Sequence, residues 1–354
     1  MSYRVIQWAT GNVGTHALRA IIERPDLELV GLRVYNPDKE GADAGTLAGL
    51  PETGVRATTD VDTLLALDAD CVNYNALGTT AQDPLGEPLD DICRILASGF
   101  NVTTTAIDFL VHPDVLPPDA RAKIDAACEK GGTTLFGSGI NPGFTMDLVP
   151  VTFSRVCRSI DQIHVVESLS MANYDAPAIM AFMGFGAAPD APSSLDAMHS
   201  DSERSVFTAS LRQVADAIGF EIDDVVYRRE SAVAAEPFDI ATGRIEKGQV
   251  VVQKISFIGM VKGREVLNNE FVWRVTDTVR PEWGVGDQWT LDIVGDPTFH
   301  IVCEASTQFD AGRPTSLTVA MAGVNAIPTV CDAAPGVQSP LTLPVWGGGY
   351  LPDL

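Results

Sequence analysis

Arg4-Val5-Ile6-Gln7-Trp8-Ala9-Thr10-Gly11-Asn12-Val13-Gly14 is the stretch on which the reading of this chain turns. Residues 4–9 read as a strand and residues 10–14 as a tight turn. Residues 15–24 read as a helix with Ala17, Leu18, Ile21 and Ile22 on one apolar face, and residues 27–34 as a second strand. A strand, a glycine turn, a helix and a strand in that order form the pattern of a dinucleotide site. Gly11 lets the backbone approach a pyrophosphate, and Gly14 lets the helix pack close to the strand. The free N–H groups at the helix start supply the anion site. The position of the usual first glycine is held by Ala9, so the match is Ala-x-Gly-x-x-Gly.

The alternation continues outward. A helix is expected at 60–67, a strand at 70–76, and a helix at 89–98 closed by Gly99. A β-branched strand at 101–105, a helix at 118–130 and a strand at 133–136 follow. Strands alternating with helices imply a Rossmann-type, doubly wound parallel α/β sheet. The character then changes. A helix at 143–158 is expected to leave the sheet. Beyond it come longer period-two strands at 160–171, 249–261, 264–275, 288–294 and 298–304, with helices at 176–183 and 202–218 between them. This predicts an α+β domain with a mostly antiparallel sheet. A last long helix at 315–330, rich in small and apolar residues, is expected to pack back on the first domain. The expected domains are 1–142, 143–314 and 315–354, and the tail Trp346-Gly347-Gly348-Gly349-Tyr350 reads as a loop or subunit contact.

The chain has 354 residues, enough for two cores. With 45% hydrophobic and 20% charged residues it reads as a globular protein. A net charge of −23 argues against nucleic acid or an anionic membrane as partner. No apolar run reaches the roughly 18 residues needed to span a bilayer, and the N-terminus reads as a strand rather than a signal peptide. None of the six cysteines lies in a Cys-x-x-Cys pair, which suits a reduced, cytoplasmic protein. No His, Cys and carboxylate cluster has metal-ligand spacing, so no metal is expected.

In such a sheet, ligands lie beyond the carboxyl ends of the strands. The loops to inspect are 10–13, 35–39, 76–79, 106–112 and 137–144. Thr10, Gly11, Asn12, Val13 and Gly14 are the expected pyrophosphate contacts, with Ala76 beside them. At the end of the second strand an NAD site usually has a carboxylate. Here stand Tyr35 and Asn36, with Arg33 and Lys39 near. Asn36 and Lys39 suit a 2′-phosphate, which favours NADP, with NAD possible if Asp38 takes the acidic role. Asn141 and Pro142, in a turn at the domain junction, are expected beside the nicotinamide. Asp108 lies in the apolar run Ala106-Ile107-Asp108-Phe109-Leu110-Val111, where desolvation raises a carboxyl pKa toward neutrality. It is the leading acid/base candidate, and His112 is the second. Asn141, Phe144, Tyr174, Met180 and Met183 are candidate substrate contacts, although a methionine and aromatic stripe is also a core pattern.

Four segments carry a family resemblance: 7–14, Gly139-Ile140-Asn141-Pro142-Gly143-Phe144, Asn173-Tyr174-Asp175 and Val324-Asn325-Ala326-Ile327-Pro328. Over essentially its whole length the chain resembles the dihydrodipicolinate reductase-like proteins. It resembles more closely the native amine dehydrogenases related to 2,4-diaminopentanoate dehydrogenase. The resemblance implies NAD(P)H-dependent reductive amination of a small ketone or aldehyde with ammonia, the reverse deamination of amines, a homodimer, and a nicotinamide held between the domains. True dihydrodipicolinate reductases carry a His-His motif with a following lysine and a Ser-Gly-Thr anion site; no adjacent histidines and no such lysine stand here, so that reaction is not expected. Amine dehydrogenases of this kind use a glutamate after the fifth strand. Asp108 stands there, one methylene shorter, or Ile107 if the alignment shifts by one. Carbonyl reduction or alcohol oxidation without ammonia, and a dinucleotide-binding sensor without turnover, are the competing readings.

Overall fold

The computed structural model describes residues 2–76, 85–174, 177–198, 206–307 and 315–350. Thr79 of the third loop, Asp175, and the expected helix starts at Ala176 and Ser202 lie outside them. The chain divides into two compact units, residues 1–144 with 308–354 and residues 145–307.

The first unit is a parallel sheet of seven strands: β1 (Tyr3–Trp8), β2 (Leu27–Arg33), β3 (Ala57–Thr58), β4 (Cys71–Tyr74), β5 (Asn101–Thr104), β6 (Thr134–Gly137) and, near the C-terminus, β15 (Gly336–Gln338). Their order is β15-β6-β5-β4-β1-β2-β3, which reverses direction between β1 and β4. That reversal is the switch point at which doubly wound sheets bind ligands. The first helix spans Asn12–Glu23 and buries Ala17, Leu18 and Ile21. Each of the two larger side chains contributes about 1.5–3 kcal/mol by leaving water.

The helix starts three residues before the expected residue 15 because Gly14 belongs to its first turn. A Cβ on Gly14 would stand 2.3 Å from the Ala9 carbonyl oxygen, so glycine is needed there for space. The helix expected at 143–158 is only Leu148–Ser154. Gly143 has φ 123°, which no helix contains, and Asp147 caps the shortened helix by accepting from the Leu148 N–H. The long helix expected at 315–330 breaks into Thr315–Val324 and Ile327–Cys331, because Pro328 lacks the N–H needed to continue it. Its first half joins Val5, Ala17, Ile21 and Cys71 in one core cluster through Ala320 and Val324.

A loop near β3 is organised by Asp43. Its buried carboxylate accepts backbone N–H bonds from Gly45 (2.8 Å), Thr53 (3.0 Å) and Gly54 (2.9 Å).

The second unit holds β7 (Ser159–Ser170), β8 (Asp224–Val233), β11 (Val250–Val261), β12 (Arg264–Arg274), β13 (Gln288–Asp296) and β14 (Phe299–Glu304). Their order is β14-β13-β7-β12-β11-β8, and β9 (Phe238–Ile240) pairs separately with β10 (Gly243–Ile245). Only β7 and β12 run parallel, so the sheet is mostly antiparallel, as expected. The helix Val206–Ile218 packs on it, with Phe207 4.6 Å from Phe271 and 5.1 Å from Phe257 between ring centroids. Among the described residues no helix is long and apolar enough to cross a membrane, and no group of His, Cys and acidic residues could hold a metal ion.

Candidate active site

The nucleotide turn is built on an irregular residue. Ala9 has φ 77°, in the left-handed region that favours glycine and that its side chain disfavours.

 Gly11 caps the first helix from an extended conformation, and a Cβ added there would meet nothing within 4 Å. No side chain caps that helix start, and its first turn carries no acid. An uncapped helix start beside an open glycine fits a pyrophosphate. Gly11 and Asn12 are exposed, while Val13 packs its side chain toward the core and offers only backbone. Lys39 Nζ donates to the Thr10 carbonyl and hydroxyl, both at 3.0 Å. Its ammonium thus braces the turn, a role that its sequence position did not disclose.

At the end of β2, Tyr35 is half-exposed and its hydroxyl accepts from Trp8 Nε1 at 3.1 Å. The Tyr35 and Tyr74 hydroxyls both donate to Asp91 Oδ2, at 3.3 and 3.2 Å. Burial raises the pKa of both phenols, so both remain protonated donors at neutral pH. The Arg33 guanidinium lies 4.5 Å from the Tyr35 ring centroid, a stacked cation–π contact. Arg33 Nη1 donates to the Val34 carbonyl, Nε has no hydrogen-bond partner, and the Glu40 carboxylate feels the guanidinium charge. Asn36 spends its side-chain oxygen on the Asp38 N–H at 2.9 Å.

Beyond β5 the chain enters a short 3-10 turn, Asp108–Val111, that opens on Asp108. The turn lies flat on β6 because residue 137 is glycine: a Cβ there would stand 2.2 Å from Leu110 Cβ. Desolvation among Ala106, Ile107, Phe109 and Leu110 pushes the half-buried Asp108 carboxyl up to about 6. His112 is buried where this turn meets the next one, Pro113–Val115. Ala76 lies two residues past β4, and Asn141 and Pro142 follow β6, joined by a cis peptide bond. The structure thus brings the glycine turn, Tyr35, Ala76, Asp108 and Asn141 to the carboxyl edge of one sheet.

The remaining candidates differ in setting. Phe144 is 47% exposed. In the second unit Met180 is 3% exposed and packs in the core, with Tyr174 and Met183 at the margin of the same cluster. The Met183 carbonyl accepts from Gln253 Nε2 at 2.9 Å.

Two features escaped the sequence reading. One is Glu167, a buried carboxylate on β7 that accepts from Trp273 Nε1 (3.1 Å) and Trp289 Nε1 (2.9 Å). The other is a ladder of buried amides and hydroxyls through Gln7, Asn73, Asn75, Thr103 and Thr105. Its signal was available: Asn73 and Asn75, and Thr103 and Thr105, stand two residues apart along and just past two neighbouring strands.

Residues 144–348 match the family described as the 2,4-diaminopentanoate dehydrogenase C-terminal domain. An amine dehydrogenase of Streptomyces virginiae is 31% identical over 351 residues, covering 96% of each chain. A 2,4-diaminopentanoate dehydrogenase of Acetoanaerobium sticklandii is 25% identical over 72% of this chain and 70% of its own. In fold, the chain is similar to the solved amine dehydrogenase of Mycobacterium smegmatis, with a TM-score of 0.77, 20% identity, and coverage of 100% and 99%.

Proposed function

The chain belongs to the family of 2,4-diaminopentanoate dehydrogenase and the amine dehydrogenases, and from that premise we propose how it works as an oxidoreductase of CH–NH2 donors. In the reducing direction it aminates a small ketone or aldehyde with ammonia; in the other it deaminates the amine. The observation that carries this reading is Asp108, a carboxyl with its pKa pushed up to about 6, on the strand edge that also bears the nucleotide turn.

A nicotinamide dinucleotide bound at the turn supplies or accepts the hydride. The protein's own residues do the rest. Gly11 and the uncapped helix start hold the pyrophosphate, and Lys39 keeps Thr10 in place. Asp108, charged at neutral pH, takes a proton from ammonium to leave the ammonia that attacks the carbonyl, returns that proton to the carbinolamine hydroxyl as it departs as water, and then stands against the cationic iminium. It serves as the family's glutamate does, one methylene shorter. Asn141 and Phe144 contact the substrate, and His112 supports the turn that carries Asp108.

NADP is the preferred cofactor in this reading. Val34, Tyr35 and Asn36 stand directly after β2, with no carboxylate before Asp38 to claim a ribose diol, and the Arg33 guanidinium stacks on Tyr35 beside that edge. The family resemblance carries with it a homodimer, which sedimentation tests, and the cysteine pattern suits a cytoplasmic location. The decisive experiment follows NADPH absorbance with a panel of small ketones and aldehydes, with and without concentrated ammonium. Oxidation only with ammonium is expected. Oxidation without it would make the protein a carbonyl reductase, and none in either condition would favour a sensor.

A further inference from the structure

We propose that Gln7 is a positioning residue that stands in for the missing first glycine of the nucleotide turn. Its carboxamide holds the carbonyl of Ala9 and so keeps an alanine in a conformation that glycine would adopt freely. The inference rests on reading this turn as the nucleotide site.

Gln7 is 0% exposed and Ala9 is 6% exposed. Gln7 Nε2 donates to Ala9 O at 3.0 Å and to Asn75 Oδ1 at 3.0 Å, with a longer contact to Trp8 O at 3.3 Å. The amide is held in this orientation, because Gln7 Oε1 accepts from Asn73 Nδ2 at 2.7 Å. Asn73 is fixed in turn. Its Nδ2 also donates to Asn75 Oδ1 at 2.7 Å, and its Oδ1 accepts from Thr103 Oγ1 at 3.0 Å. Asn75 Nδ2 ends the chain of bonds on Thr105 Oγ1 at 2.9 Å.

The ladder therefore crosses β1, β4 and β5 at the switch point and delivers one donor to the residue that is strained. Backbone geometry makes that donor consequential. The Ala9 carbonyl oxygen points at the first turn of the helix, 2.3 Å from where a Gly14 Cβ would be. If Ala9 relaxed toward the β region, that carbonyl would swing, and the spacing between β1 and the helix start would change with it. Gln7 prevents the swing from beneath, and Gly14 leaves room for the carbonyl from above. A buried network of this kind fixes one arrangement only when every member is satisfied.

The test is titration calorimetry of NADP+ against four proteins: the wild type, Ala9→Gly, Gln7→Met, and the double variant, each checked for folding by thermal melt. Gln7→Met is expected to weaken NADP+ binding about tenfold, the worth of one hydrogen bond lost. Ala9→Gly in that background is expected to restore binding to near the wild-type level, because glycine needs no hold to stay left-handed. A Gln7→Met protein that folds only when Ala9→Gly is present also supports the proposal. Unchanged binding in Gln7→Met overturns it. So does a double variant that stays unfolded or stays weak, because Gln7 would then serve the sheet and not the turn. A wild type that binds neither NADP+ nor NAD+ fails one step earlier and removes the nucleotide site itself.

Discussion

Two loops of the first unit each enclose an aspartate, Asp43 fully and Asp108 in part, and they treat it in opposite ways. In the loop near β3, Asp43 receives three backbone N–H bonds, led by that from Thr53, and these hold its carboxyl below the usual carboxylate range. In the turn after β5, Asp108 receives no such set of N–H bonds among the described residues, and desolvation pushes it up to about 6. Hydrogen bonds to the charged form turn a buried carboxylate into a structural anchor. Burial without them leaves a group that the fold prefers protonated and that can exchange a proton near neutrality.

The contrast breaks most sharply at Asp108. Asp108→Asn is expected to lower turnover about 10²- to 10⁴-fold, the usual worth of general acid/base help, while the dinucleotide Kd stays the same. Steady-state rates paired with calorimetry check this, and equal turnover removes Asp108 from the mechanism. In the wild type, amination rates below about pH 6 should fall roughly tenfold per pH unit as the carboxylate is protonated, and Asp108→Asn should lack that limb.

The same substitution should stabilise the protein. The folded pKa of Asp108, about 6, lies above the value of about 3.9 for an unfolded chain. Its charge therefore costs stability above pH 6, and the cost is relieved as pH falls toward 4. Asp108→Asn is expected to gain up to about 3 kcal/mol at pH 7.5 in urea unfolding, with the gain shrinking to nothing near pH 4. The smallest effect belongs to the other loop. There the folded pKa lies below the unfolded one, so Asp43 stabilises the fold above about pH 4 and loses that contribution on further acidification. Asp43→Ala should lower the melting temperature by roughly a few degrees at neutral pH with turnover unchanged.

The sequence disclosed the first unit well where period and punctuation agreed. Gly11 and Gly14 located the turn, and the apolar run around Asp108 foretold its displaced pKa. It disclosed less where a residue's role depends on distant partners. Lys39 braces Thr10, 29 residues away, and Gln7 meets Asn75, 68 residues away. Neither pairing leaves a local trace. Met180 read equally well as a pocket wall and as core, because both uses show the same apolar stripe. The strand β15 escaped notice because three residues show no period. β8 escaped because Arg228, Arg229 and Glu230 hid its alternation.

The place of β15 also sets a schedule. This strand joins β6, and the helix Thr315–Val324 completes the core built on Val5, Ala17 and Ile21. A ribosome finishes all of the second unit before it releases either piece. The unit that β1 opens therefore closes only after the second unit has been made, and a nascent chain completes its nucleotide turn's core only then.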